Sequence, residues 1–189
     1  GWTINNTGEV SLLSDLTFGN ADVWFAMSGG TFTGGAHTLN LYNTFTMTGG
    51  TFNAPSAMNV YGEFAISGGT FNHNNGTITF YAYDSDYTIV GGGKTFWNVT
   101  FNKNDTSGSR TLWIYNSFTV ANDLTLKNEN DNCYYYVYGS DNQHAVITVL
   151  GNVNCPATTN THDVYWGYGN GDGRYYFTVD LAGATSSLT

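Results

Sequence analysis

One eight-residue phrase is written three times early in the chain: "FAMSGGTF" at 25–32, "FTMTGGTF" at 45–52 and "FAISGGTF" at 64–71, in steps of 20 and 19 residues. Before each glycine pair the apolar residues alternate: Phe25 and Met27, Phe45 and Met47, Phe64 and Ile66. That is the period of a strand with one buried face. The Gly-Gly pair then turns the chain sharply, because glycine tolerates backbone angles that a β-carbon forbids. After the turn, Phe32, Phe52 and Phe71 are expected to face inward again. Between copies, "HTLNLYN" (37–43) and "MNVYGE" (58–63) alternate in the same way. One repeat therefore reads as strand, glycine corner, short strand, polar loop, strand.

Such a unit cannot bury its apolar face alone, and stacking successive copies solves the problem. Equivalent strands then pair in parallel, and Phe32, Phe52 and Phe71 become an internal column. A propeller blade needs about forty residues per repeat, a leucine-rich repeat needs its Leu/Asn frame, and a left-handed hexapeptide helix needs a six-residue period. None of these is present. The expected fold is all-β, a right-handed parallel β-helix (β-solenoid) of about 20 residues per coil. The 189 residues then make about nine coils, a rod about 40–45 Å long at about 4.8 Å per coil.

The whole chain, 1–189, reads as a single β-helix domain, with regular coils over about 10–127 and loop-elaborated coils over about 128–189. In "KTFWNVTFNK" (94–103) Phe96 is expected inside, with either Trp97 or Val99 competing for the next inward place. Phe118, Val120, Leu124 and Leu126 continue the alternation. Long loops at 128–143 and 156–173 break the pitch, and in repeat proteins such insertions tend to carry function.

Charged residues make up only 10% of the chain, while Gly, Thr, Asn, Ser and Tyr are plentiful. A polar surface built from hydroxyls, amides and rings suits an extracellular all-β protein. The formal charge is −9, with five Lys or Arg in all. That balance repels phosphate backbones and anionic membranes, so nucleic acid is not an expected partner. There is no signal peptide and no apolar run of membrane-spanning length, so membrane insertion is not expected either; from "GWTINNTG" to "ATSSLT" the chain reads as a mature or excised piece. Cys133 and Cys155 are 22 residues apart, close to the repeat. Adjacent rungs would bring them together as a disulfide, and two buried thiols are the alternative; with no CxxC partner, zinc is not expected. Asn5, Asn75, Asn98 and Asn104 lie in N-x-S/T sequons, about as many as chance gives at this Asn and Thr content.

The stretch "GTITFYAYDSDYTIVGGGKTFWNVTFNK" (76–103), followed by "SGSRTLWIYNSFTVANDLTL" (107–126), resembles the repeat region of large bacterial and archaeal secreted surface proteins. There, a GTVTF-type strand leads into a "TI.GG..TFYNLTINK" segment and then a "LTV..DLTL" segment, and SGGTF corners recur. The resemblance covers most of residues 10–155. It implies a right-handed β-helix in an adhesin-like or matrix-forming protein and brings no catalytic residues with it. The aromatic loop at 156–173 departs from the pattern.

Sharper chemistry finds little support. Asp84 and Asp86 in "YDSDY" would share a face, as an acid–base pair acting on sugars requires, but Asp in such a setting is ordinarily a turn residue. His37, His73, His144 and His162 each stand without a Ser, Asp or metal-spaced partner. No catalytic residue, metal site or cofactor is expected, and the protein is read as non-enzymatic. A threonine ladder through Thr31, Thr51 and Thr70 suits a solvated face as well as an ice-binding one. The asparagine- and glycine-rich runs at 128–132 and 169–173 match no calcium loop. Carbohydrate is the main external partner to weigh, through Tyr134, Tyr136, Tyr165, Trp166 and Tyr168, since Tyr and Trp faces stack on sugar rings.

The ends carry the remaining expectation. Strand-like sequence starts almost at Trp2 and continues through "YYFTVDLAG" with no helical or proline cap. Uncapped coils expose unpaired edges. Self-association, head-to-tail or with flanking repeats, is therefore expected through Trp2, Ile4 and Val10 at one end and Phe177, Val179 and Leu181 at the other.

Overall fold

Every strand lasts only two to seven residues before the chain turns a corner, and the strands come in threes. The computed structural model describes residues 1–19, 22–82, 85–103, 110–128, 135–139, 145–154, 164–166 and 177–181. The first coil holds β1 (Trp2–Ile4), β2 (Glu9–Ser11) and β3 (Leu16–Phe18). The second holds β4 (Phe25–Met27), β5 (Thr31–Thr33) and β6 (Thr38–Leu41); the third, β7 (Phe45–Met47), β8 (Thr51–Asn53) and β9 (Ala57–Val60). The fourth holds β10 (Phe64–Ile66), β11 (Thr70–Asn72) and β12 (Thr77–Ala82); the fifth, β13 (Tyr87–Val90), β14 (Thr95–Phe96) and β15 (Asn98–Lys103). The sixth holds β16 (Arg110–Asn116), β17 (Phe118–Val120) and β18 (Leu124–Asn128); the seventh, β19 (Tyr135–Gly139), β20 (Ala145–Val149) and β21 (Val153–Asn154). Two strands follow in the eighth, β22 (Val164–Trp166) and β23 (Phe177–Leu181).

Strands three apart in sequence pair in parallel, so the first strands of the coils form one eight-stranded sheet and the third strands a seven-stranded sheet. The second strands form two four-stranded sheets, β2-β5-β8-β11 and β14-β17-β20-β23. The molecule is thus a parallel β-solenoid. The coil length is uneven: Phe25, Phe45 and Phe64 follow one another at 20 and 19 residues, while Phe64 to Ile89 and Ile89 to Ile114 take 25 each. The added residues lengthen β12, β15 and β16 and the corners after β12 and β15, and β13 pairs with β16 through a bulge at Tyr115, Val90 standing opposite Asn116.

The inward columns are as the alternation predicts. Phe32 and Phe52 stack with centroids 4.8 Å apart, Phe52 and Phe71 at 5.4 Å, and a second column stacks Phe25 on Phe45 at 5.5 Å and Phe45 on Phe64 at 4.9 Å. The two columns meet edge to face, Phe45 against Phe52 at 5.2 Å. Offset stacks crossed by edge contacts are the arrangement aromatic quadrupoles favour. In the fifth coil Val99 joins Phe96 inside, both fully buried, while Trp97 lies outside against the His73 ring. The reason is the position of the corner: β15 begins at Asn98, so Trp97 becomes the corner and Val99 the first inward residue.

Outside, polar side chains bond along the rod. Asn72 Nδ2 donates to Asn53 Oδ1 at 2.7 Å, Asn53 Nδ2 to Thr33 Oγ1 at 3.3 Å, and Thr33 Oγ1 to Glu9 Oε1 at 3.1 Å. Asn59 Nδ2 donates to Asn40 Oδ1 at 2.8 Å on the neighbouring sheet. In-register parallel coils place each amide over the next, which is why a chain with so few charges solvates itself this way.

Tyr42, Tyr61 and Tyr81 form a third column, with ring centroids 4.3 Å apart at each step and planes within 2° and 6° of parallel. Burial, reinforced by the flanking Tyr81 and Tyr42 phenols, raises the Tyr61 hydroxyl well above the ordinary tyrosine range. The folded chain therefore keeps Tyr61 protonated where the unfolded chain ionises, near pH 10. Stability linked to this group is intact below that pH and is lost as pH rises further. We expect the melting temperature to fall more steeply between pH 9 and 11 for the unaltered protein than for Tyr61→Phe. Parallel curves would show that Tyr61 ionises normally.

Candidate assembly interface at the first coil

Three inward residues of the first coil, Trp2, Val10 and Leu16, stay partly open, while Ile4 and Phe18 are buried. Trp2 shares a register column with Phe25, Phe45 and Phe64. It is 44% exposed where those three are 0%. Ile4, two residues on, is buried under Met27. Val10 pairs with Phe32 yet is only half-buried, and Leu16, paired with Leu39, is likewise half-buried. The difference has one cause. Each of these side chains has a coil on one side of it and nothing described on the other.

The backbone shows the same asymmetry. β1, β2 and β3 each stand last in their sheets, hydrogen-bonded to one neighbour only. A row of unpaired N–H and C=O groups beside an apolar ring is a template for another parallel strand. Trp2 N–H donates to the Trp24 carbonyl at 2.8 Å, and Trp2 meets the Phe18 ring edge-on at 5.2 Å. Trp24 is 49% exposed and its indole lies against Gly1. Glu9 and Asp15 stand in this coil too: Glu9 Oε1 accepts from Ser11 and Thr33 hydroxyls, and Asp15 Oδ1 accepts the Thr38 N–H at 2.8 Å. Both carboxylates are thus tied to the second coil or their own strand.

Trp2, Ile4 and Val10, expected together from the sequence, do meet in one coil. Trp24 and Leu16 belong with them and were missed; "SLLSDL" (11–16) has adjacent leucines that obscure the alternation, and Trp24 lies outside any strand. Of that run, Leu13 is 91% exposed. Phe177, Val179 and Leu181 lie on β23, in register with Ala145, Ile147 and Val149, and β23 is the last strand of its sheet.

The other expected positions scatter. Cys133, Cys155, Tyr134 and Tyr168 lie outside the described residues. Tyr136 and Tyr165 are register partners on β19 and β22, in a column with Thr111. Trp166 falls one place on, in the column of Val137 and the buried Leu112. So Trp166 stands on the opposite parity from Tyr165, and the two are not neighbours on one face. Asp84 is outside the described residues; Asp86 Oδ1 accepts the Thr111 N–H at 2.8 Å, tying one coil to the next. His73 Nδ1 accepts the Asn75 N–H at 3.0 Å, and His37 Nδ1 is 3.9 Å from Asp15. Among the described residues no three His, Cys, Asp or Glu side chains gather as a metal site. Among the described residues no helix is long and apolar enough to cross a membrane. No protein-family model, curated protein or solved structure matches this chain.

Proposed function

We propose that this is a non-enzymatic extracellular structural protein, a β-solenoid subunit or module whose coils stack end to end, on copies of itself or on flanking repeats, into a fibre or surface layer. The observation that carries it is the first coil: Trp2 is 44% exposed in a column otherwise sealed at 0%. Apolar area left in water favours whatever covers it, by about 25 cal/mol per Å². A second coil of the same width and pitch covers it best, since it also satisfies the open edges of β1, β2 and β3. Head-to-tail contact of this kind does not close on itself, so it propagates as a filament. The extracellular setting rests on the low charge and the amide and hydroxyl surface.

Electron microscopy of the purified chain at micromolar concentration tests the proposal. Filaments with an axial repeat of about 40 Å are expected, from eight strands in the longest sheet at about 4.8 Å each. Trp2→Asp places a carboxylate in the contact and is expected to leave single rods with an unchanged circular dichroism spectrum. Single rods from the unaltered protein at every concentration would sink self-stacking.

A further inference from the structure

The glycine corner is one residue longer in the fifth coil: "VGGGKTF" (90–96) stands where the second to fourth coils have "MSGGTF", "MTGGTF" and "ISGGTF". The extra residue is Lys94, and the ladder around it changes. Thr31, Thr51 and Thr70 each donate their backbone N–H to a glycine carbonyl of the coil below, Gly8, Gly30 and Gly50, at 2.8–2.9 Å. Gly69 O, the next in that row, accepts instead from Lys94 Nζ at 2.7 Å. Beyond the corner, β11 and β14 each end a four-stranded sheet and do not pair with each other. The Phe32–Phe52–Phe71 column, stacked within 13° of parallel, stops there: Phe96 meets Phe71 edge-on, at 86°. Thr70 and Asn72 are exposed where their counterparts Thr51 and Asn53 are half-buried.

The other two sheets do cross this boundary, but unequally. Among the third strands, β12 and β15 pair over six residues, from Thr77↔Asn98 to Ala82↔Lys103. Among the first strands, β10 and β13 pair over two, Phe64↔Ile89 and Ala65↔Val90, against three between β7 and β10. Among the second strands the ladder is broken. Thr70 N–H and Asn72 C=O point to the third coil, bonded to Gly50 O and Ala54 N–H. Strand alternation therefore turns the Phe71 N–H and C=O toward the fifth coil, where β14 forms no ladder with them. In a solenoid each coil is held only by its neighbours. A boundary with one sheet whole and another interrupted is thus a line along which the rod bends. Among the described residues the interrupted side is held by side chains: Lys94 Nζ on Gly69 O, Phe71 against Phe96 at 5.2 Å, and the His73 ring on Trp97 at 5.4 Å.

We propose that the solenoid is built as two blocks, the first to fourth coils and the fifth onward, hinged along β12 and β15 and latched on the second-strand side by Lys94. The device does not depend on how the ends associate. Hydrogen exchange of the full chain, read amide by amide by NMR, tests it, because local opening sets the exchange rate. Amides of β13 and β14 are expected to exchange roughly tenfold faster or more than those of β7, β8, β17 and β18, while β12 and β15 stay protected. Lys94→Met keeps the apolar stem and removes the donor. It should speed exchange in β13 and β14 by about a further fivefold, the worth of one hydrogen bond, and leave β5 and β8 unchanged. Equal protection of β14 and β17 overturns the proposal, since the seam would then be no weaker than the coils above it. Acceleration spread evenly over every coil by Lys94→Met, or none in β13 and β14, shows that Lys94 is no latch and overturns it equally.

Discussion

Phe45→Ala should cost about 3–5 kcal/mol of unfolding free energy, the range for removing a fully buried aromatic ring. Phe45 is 0% exposed and sits at the crossing of both internal columns, stacked on Phe25 and Phe64 and edge-on to Phe52. Neighbours come from the coil below, its own coil and the coil above. None can collapse into the void without leaving its ladder, so little of the loss is recovered. Because a solenoid couples only adjacent coils, the damage should concentrate in the second to fourth coils. Urea unfolding followed by circular dichroism measures the total, and hydrogen exchange locates it. Thr46→Ala, one residue on but outward, should change stability by no more than about 0.5 kcal/mol. A Phe45→Ala loss below about 1 kcal/mol would mean that the columns are not the source of stability.

Gly50→Ala and Gly93→Ala separate two reasons for a glycine. Both have left-handed backbone, φ +78° and +67°. A β-carbon costs about 1–2 kcal/mol in that conformation whatever its surroundings. At Gly93 it would meet nothing within 4 Å, whereas at Gly50 it would stand 2.5 Å from the Gly29 carbonyl oxygen of the coil below. Gly50→Ala must therefore also push two coils apart, adding about 1–3 kcal/mol of overpacking strain. We expect Gly93→Ala to lower stability by about 1 kcal/mol and Gly50→Ala by about 3 or more. Equal losses would show that the glycine corners are kept for backbone angle alone.

That contrast also explains what was legible beforehand. "SGGTF" written three times implies the same corner on three successive coils, and the alternation of Phe, Met and Ile assigns inside and outside without any coordinates. Both signals are local: a strand of period two and a glycine turn are properties of a few consecutive residues. In "TFWNVTF" the local pattern was balanced, since Trp97 and Val99 share a parity and both are apolar. The start of β15 at Asn98 decided between them, a matter of how tightly one corner could be drawn. The alternation in "CYYYVYG" likewise separated Tyr136 from Tyr135, but which aromatic residues of successive coils share a column depends on register, not spacing.

The sequence by itself determined the class of fold, the strand–corner rhythm and the identity of the internal phenylalanine columns, because each is encoded within one coil. Only the tertiary structure decided the 25-residue coils, the half-open ring around Trp2 and the stacking of Tyr42, Tyr61 and Tyr81. Each of those depends on what lies one coil above or below, some twenty residues away in sequence, and stacking rather than local pattern sets which side chains are covered.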